Sequence, residues 1–123
     1  MKSNAKKTGN SGEKVVADFL KKKGFIISKT NFHSRFGEID IIAENNEYVL
    51  FVEVKTRSRG SIAEPKEFVD ALKQNKIIST ANYYLMYNPT ALQIRFDVAE
   101  VIKDENDGLE KLTVNYIKNA FGV

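Results

Sequence analysis

The sequence predicts an α/β domain in which a mixed β-sheet of about five strands is flanked by two helices, in the order αβββαββ. Three observations carry that prediction. Two β-branched, apolar runs joined by a polar reversal lie between Phe36 and Arg57; helical periodicity stands on either side of them; and an alternating pair of strands closes the chain. A length of 123 residues suits one domain with a core of its own. Residues 9–123 read as that domain, and residues 1–8, which include Lys7, as a flexible basic arm.

A first helix is expected from Asn10, which can cap it while Glu13 reaches back at capping-box spacing. Val16, Ala17, Phe19 and Leu20 form its apolar stripe, and Gly24 stops it. Glu13 shares the inward face with Ala17 and Leu20, so it is either a capping acid or an acid at the rim of a site. Phe25 to Thr30 form a short strand, and Asn31-Phe32-His33-Ser34-Arg35 carries the chain to the strand from Phe36 to Ala43. Glu44-Asn45-Asn46-Glu47 reverses it, and Tyr48 to Arg57 returns. Ser58 to Ser61 read as a mobile loop. Pro65 suits the first turn of a long helix that runs to about Tyr87, with Ala71, Ile77, Ile78, Ala81 and Leu85 on its buried stripe. Gln74 falls within that stripe and Lys73 at its edge; a buried amide is either a structural hydrogen-bonder or part of a site. Leu92 to Val98 alternate as a strand, Asn106-Asp107-Gly108 signals a turn, and Leu112 to Ile117 return beside it.

Several functions are excluded by composition. Cysteine is absent, which removes a disulfide scaffold, a zinc ribbon and thiol catalysis. His33 is the only histidine; it lacks partners for a zinc site or a triad and reads as a polar loop residue near substrate. No apolar run approaches the roughly 18 residues of a membrane span, and no apolar segment follows the basic N-terminus, so a soluble cytoplasmic protein is expected. The net charge of +3 is concentrated in the N-terminal lysines and in Lys55, Arg57 and Arg59, which favours polyanionic partners such as nucleic acid; a merely solvated lysine surface is the plain alternative.

The chemical signal lies in the central hairpin. Asp40, Glu53 and Lys55 stand inside apolar runs, where charges cost several kcal/mol unless paired or metal-bound. Alternation puts Glu53 and Lys55 on one face and Glu38 and Asp40 on one face of the preceding strand. An antiparallel hairpin turning at Asn45-Asn46 brings Asp40 almost opposite Glu53. Two such carboxylates repel, and a proton or a divalent cation relieves the repulsion. Mg²⁺ accepts a few carboxylate or carbonyl oxygens and keeps its waters, so Asp40, Glu53 and the Val54 carbonyl form a candidate ligand set. Lys55 beside it can hold or deprotonate a water or stabilise a phosphate oxygen. The bland alternative is an ion-pair network of Asp40, Glu53 and Lys55 without chemistry.

Asp40 followed by Glu53-Val54-Lys55 resembles the Asp…Glu-x-Lys signature of the restriction-endonuclease-like nucleases. The wider set is more specific: Gly9-x-x-Gly12-Glu13, Asn31, Gly37-Glu38-Ile39-Asp40, Phe51-Val52-Glu53-Val54-Lys55-Thr56-Arg57, Lys73-Gln74, Arg95-Phe96-Asp97 and Asn119-Ala120-Phe121 resemble the YraN-like family over nearly the whole chain. The resemblance implies a restriction-endonuclease-like core and Mg²⁺- or Mn²⁺-dependent cleavage of DNA, including branched DNA of the Holliday-junction type. It implies Asp40, Glu53 and Glu13 as metal ligands, Lys55 as the catalytic lysine, and Gln74 in a supporting role. Lys73, Arg57, Arg35, His33 and Lys7 are then the candidate DNA contacts. A homodimer would suit junction cleavage. The chain departs from the family pattern at Ile62-Ala63, where an aromatic residue and Gly are usual, and at His33, where Arg is usual. A nucleic-acid-binding module that keeps the fold without turnover is the competing expectation.

Overall fold

The computed structural model describes residues 4–59 and 70–122, with side chains from Ser11 onward except at Asn106. Its elements follow the expected order: α1 (Asn4–Lys22), β1 (Ile26–Ser34), β2 (Gly37–Glu44), β3 (Tyr48–Ser58), α2 (Ala71–Tyr87), β4 (Gln93–Asn106) and β5 (Leu109–Phe121). The strands form a five-stranded sheet in sequential order. β1, β2 and β3 are an antiparallel meander, β4 joins β3 in parallel after the α2 crossover, and β5 closes back on β4. The β4–β5 turn falls at Asp107 and Gly108, both left-handed (φ 54° and 76°), as a tight hairpin with this strand twist requires.

The two helices bury opposite faces of the sheet. Val16 and Leu20 of α1 pack on Ile41, Leu50, Val52 and Val101, whereas Ile77, Ala81 and Tyr84 of α2 pack on Ile42, Phe51, Phe96 and Val98. Gly24 (φ 96°) ends α1 through paired bonds, Phe25 N–H to the Leu20 carbonyl and Gly24 N–H to the Lys21 carbonyl, both 3.0 Å. Asp70 caps α2 by accepting the Lys73 N–H at 2.9 Å. Among the described residues no helix is long and apolar enough to cross a membrane.

Four expectations change. α1 starts at Asn4, upstream of Asn10, because Ala5, Lys6 and Lys7 are good helix formers; Asn10 and Glu13 therefore lie inside the helix, and Glu13 is not the acid of a capping box. The side chain of Lys7 lies outside the described residues, as do Ile62, Ala63 and Pro65. α2 begins at Ala71 behind its Asp70 cap, so Ala71 is exposed and the buried line is Ile77, Thr80, Ala81 and Tyr84. Strand β1 runs to Ser34 and β4 to Asn106, both longer than their apolar alternation suggested. The charges that disguised the end of β4 are paired across strands: Glu100 with Arg57, Asp104 with Arg59 and Lys103 with Glu110.

Candidate active site

The site forms where β2 parts from β3. The β2–β3 ladder is regular from Glu44↔Val49 to Ile41↔Val52 and stops there. At the next position the Asp40 carboxylate takes the place of the ladder, accepting the Val54 N–H at 2.8 Å. Ile39 joins the core beneath α2 while Ile41 joins the core beneath α1, so the alternation of β2 is interrupted at Asp40. The same break shows in β1. Asn31 lies between the pairs Thr30↔Ile41 and Phe32↔Ile39, so it stands beside Asp40, and its φ of 51° is a left-handed conformation that asparagine tolerates. Its side chain donates to Glu13 Oε1 at 3.0 Å and so fixes the α1 acid at the same break.

Glu13 reaches this place because Gly12 lets α1 approach the sheet. A Cβ on Gly12 would sit 2.7 Å from Thr56 Oγ1, closer than side chains pack. Burial raises the Glu13 pKa, the Asn31 bond opposes the rise, and the charges of Glu38 and Glu53 add to it. The Asp40 carboxyl is pushed up to about 7 by burial and by Glu53, against the help of the Val54 N–H, with Glu13 and Glu38 adding smaller repulsions. Acids from α1, β2 and β3 thus share one electrostatic environment.

Two lysines answer them. Glu53 is nearly buried, and its Oε2 lies 2.7 Å from Lys73 Nζ and 3.8 Å from Lys55 Nζ. Burial and the adjacent Lys73 push the Lys55 ammonium below its ordinary pKa, against the pull of Glu53 and Asp40. Burial also works against charge on Lys73, but its bond to Glu53 wins and its pKa rises. Lys55 is therefore the member of the pair that gives up its proton more easily. An open cleft of about 450 Å³ receives Asp40, Glu53 and Lys73 and is lined besides by Gly37, Glu38, Asp70, Leu72, Lys76 and Ile77, with Lys55 held beside it through Glu53.

The structure thus brings together Asp40, Glu53, Lys55 and Lys73, with Glu13 within electrostatic reach. Gln74 is partly buried on the first turn of α2, where its N–H bonds the Asp70 carbonyl at 2.8 Å, and it has further partners. His33 stands at the rim, largely exposed, with Nδ1 3.8 Å from Glu38 Oε1. Arg35 is exposed on the β1–β2 turn, its guanidinium 5.2 Å from the centre of the Phe36 ring. Arg57 is engaged elsewhere: it pairs with buried Glu100, which also accepts from Asn115 Nδ2 at 3.0 Å. Sequence reasoning missed Glu38, Asp70 and Lys76 as lining residues; the alternation that puts Glu38 with Asp40 was the signal for the first. It also left unexplained Arg95, Asp97 and Asn119, which form a structural clasp. Asp97 is fully buried and accepts from Arg95, from the Tyr116 hydroxyl (2.6 Å) and from the Asn119 N–H (2.8 Å), fastening the irregular end of β5 to β4.

The donor set suits a hard divalent cation. Among the described residues no three of His, Asp and Glu stand ready as a metal cage. Mg²⁺ and Mn²⁺ do not need one, because two carboxylates and waters suffice. Val54 donates its N–H toward Asp40, and in an extended strand the carbonyl of the same residue points the same way, into the gap left by β2. A carboxyl that holds a proton near neutrality because it is buried and faces another carboxylate is a place where a cation can replace that proton.

Fold and cleft together define an α/β domain that carries a carboxylate–lysine cluster where two strands of its mixed sheet part. The uncharacterised protein family UPF0102 matches the chain over residues 12–101. A UPF0102 protein of Clostridium perfringens is 44% identical over 127 residues, covering 100% of both chains. One from Caldanaerobacter subterraneus subsp. tengcongensis is 45% identical over 98% of both, and one from Caldicellulosiruptor bescii is 42% identical over 96% of this chain and 99% of its own. The chain belongs to the UPF0102 family.

Proposed function

We propose that this protein is a Mg²⁺- or Mn²⁺-dependent endonuclease that hydrolyses DNA phosphodiester bonds, with branched or otherwise structured DNA as its substrate. One observation carries the reading: Asp40 and Glu53 line an open cleft with Lys55 Nζ 3.8 Å from Glu53 Oε2, the Asp40 carboxyl pushed up to about 7 and Lys55 shifted downward. Asp40, Glu53 and the Val54 carbonyl would hold the cation, with Glu13 on the α1 side. When bound, it would activate water and neutralise charge on the phosphate.

The protein's own groups do the rest. Lys55, short of its usual proton affinity, accepts a proton from the attacking water, whose oxygen bonds to phosphorus as the P–O bond to the leaving nucleotide breaks. Solvent returns a proton to the leaving oxygen. Lys73 orients Glu53 by direct contact and supplies positive charge at the mouth, where a phosphate enters. A homodimer would supply the second site that cutting both strands of a junction requires.

The test is cleavage of single-stranded, duplex and four-way-junction DNA with Mg²⁺ or Mn²⁺, comparing wild type with Asp40→Asn and Glu53→Gln. Loss of at least 100-fold in both variants is expected. Equal cleavage by wild type and variants would assign the activity to a contaminant and remove the proposal.

A further inference from the structure

We propose that one line of α2, with the β1–β2 turn beside it, seats unpaired nucleotides leading into the cleft, so that the substrate carries a single-stranded segment next to the scissile bond. The inference rests on the nuclease reading and adds the kind of DNA.

Lys73, Lys76, Thr80, Tyr83 and Tyr87 recur at alternating spacings of three and four residues, which places them on one line along the helix. Contacts agree with that placement. Lys73 meets Glu53, and a Cβ on Gly37 would lie 3.3 Å from Thr80 Oγ1 and 3.4 Å from Lys76 Cβ. Phe36 meets Tyr83 at 6.3 Å between ring centres, and Tyr83 meets Tyr87 at 5.3 Å. The line starts in the cleft at Lys73 and Lys76 and is covered at buried Thr80 by Ser34 and Gly37 of the β1–β2 turn. It comes out again at Tyr83 and Tyr87, about 21 Å from its start at the helical rise, so a strand passing over Phe36 of that turn has room for several nucleotides. Its basic end, Lys73 and Lys76, lies at the cleft, and Arg35 adds a cation over Phe36 at the turn.

Tyr83 is half-buried, its ring also 6.3 Å from partly buried Phe32, but the core does not account for Tyr87 or Phe36. Tyr84 is the tyrosine that α2 turns inward, with its ring 5.3 Å from Phe32 and 6.0 Å from Phe51. Tyr87 is 69% exposed and Phe36 40% exposed. Surface rings beside cations suit one nucleic-acid chemistry above others, because an aromatic face stacks on a base only when that base is unpaired. A duplex offers its phosphates to the lysines but hides its base faces from the tyrosines.

The test uses the full chain with EDTA present, so that binding is read without turnover. Fluorescence anisotropy with a labelled 12-nucleotide thymidine oligomer and with a duplex of equal length compares wild type, Tyr87→Ala and Arg35→Gln, all exposed positions. Each substitution should weaken single-strand binding, and Tyr87→Ala should do so by roughly 10-fold while leaving duplex binding within about twofold. Oligomers carrying 5-iodouracil should cross-link to Tyr83 or Tyr87. Unchanged single-strand affinity in both variants, with cross-links elsewhere and Asp40-dependent cleavage of duplex intact, overturns this inference and leaves the nuclease reading standing. Absence of binding and of cleavage for every DNA overturns both. Loss of self-association in Tyr87→Ala, with DNA affinity unchanged, would make the line a contact between copies and overturn the inference as well.

Discussion

Lys73 Nζ lies 2.7 Å from Glu53 Oε2, closer than Lys55, which comes from the same strand as Glu53 and stands 3.8 Å from that oxygen. The helix-borne lysine has taken the carboxylate and left Lys55 beside another cation, which is why burial and Lys73 together depress the Lys55 pKa. Replacing Lys73 by methionine should reverse this. Lys55 gains Glu53 as its own partner, and its pKa should rise, read from the pH dependence of its Cε resonance. If Lys55 serves as the base, cleavage near pH 8 should fall by about 10- to 100-fold. An unmoved Lys55 titration would mean that Lys73 does not set its state.

The Asp40 carboxyl predicts a stability profile. Its folded-state pKa of about 7 lies above the ordinary 3.8, so folding favours the protonated acid. The stability it contributes is fully present below about pH 4 and is lost as pH rises through about 7. Asp40→Asn keeps an oxygen for the Val54 N–H and removes the ionisation. The variant should exceed wild type by about 1–3 kcal/mol at pH 8 and match it near pH 4, in thermal or urea denaturation. Added Mg²⁺ or Mn²⁺ should narrow the gap at pH 8 by raising wild type alone. Parallel profiles for the two proteins would contradict the raised Asp40 pKa in this cleft.

Much of this was legible because apolar alternation is a local signal. The hairpin of β2 and β3 and the turn at Asp107-Gly108 are written in consecutive residues, and Asp40, Glu53 and Lys55 stood out as charges where a core was expected. What could not be read depends on packing between distant segments. Nothing near Lys73 announces that its ammonium rests on Glu53, and nothing near Arg57 announces a buried partner at Glu100, since both look like surface cations. The end of β4 was hidden for the same reason: Lys103, Asp104 and Glu105 have the composition of a loop, and only the neighbouring strands make them a ladder. Asp97 carried a motif without an apparent task until Tyr116 and Asn119 arrived from β5.

Gly12 should be intolerant of a side chain. A helix interior ordinarily gains about 1 kcal/mol from Gly→Ala. Here the new methyl group would meet Thr56 Oγ1 at 2.7 Å, with Val54 and Val101 behind it at 3.8 Å. Gly12→Ala should therefore cost about 1–3 kcal/mol and shift Glu13 away from the acids of the cleft. Thr56→Ala removes the obstructing oxygen, so the double variant should recover most of the loss in a thermal-melt cycle. Additive costs would place the strain elsewhere.

Arg57 separates a structural role from a DNA contact. Its guanidinium pairs with Glu100, a carboxylate only 3% exposed whose other oxygen accepts from Asn115. Burial alone would raise the Glu100 pKa, yet Asn115 and Arg57 outweigh it and hold the acid below its usual range. A depressed folded-state pKa means stability that is present above the unfolded value near 4 and is lost as pH falls through the folded one. Arg57→Ala should cost about 3 kcal/mol at pH 7, because it strands a buried charge, and less as pH falls through the folded Glu100 pKa and the carboxyl takes up its proton. Adding Glu100→Gln should recover part of the loss at pH 7. DNA affinity measured below the variant's melting temperature should change less than threefold. A variant with an unaltered melting temperature and tenfold weaker binding would instead return Arg57 to the DNA surface.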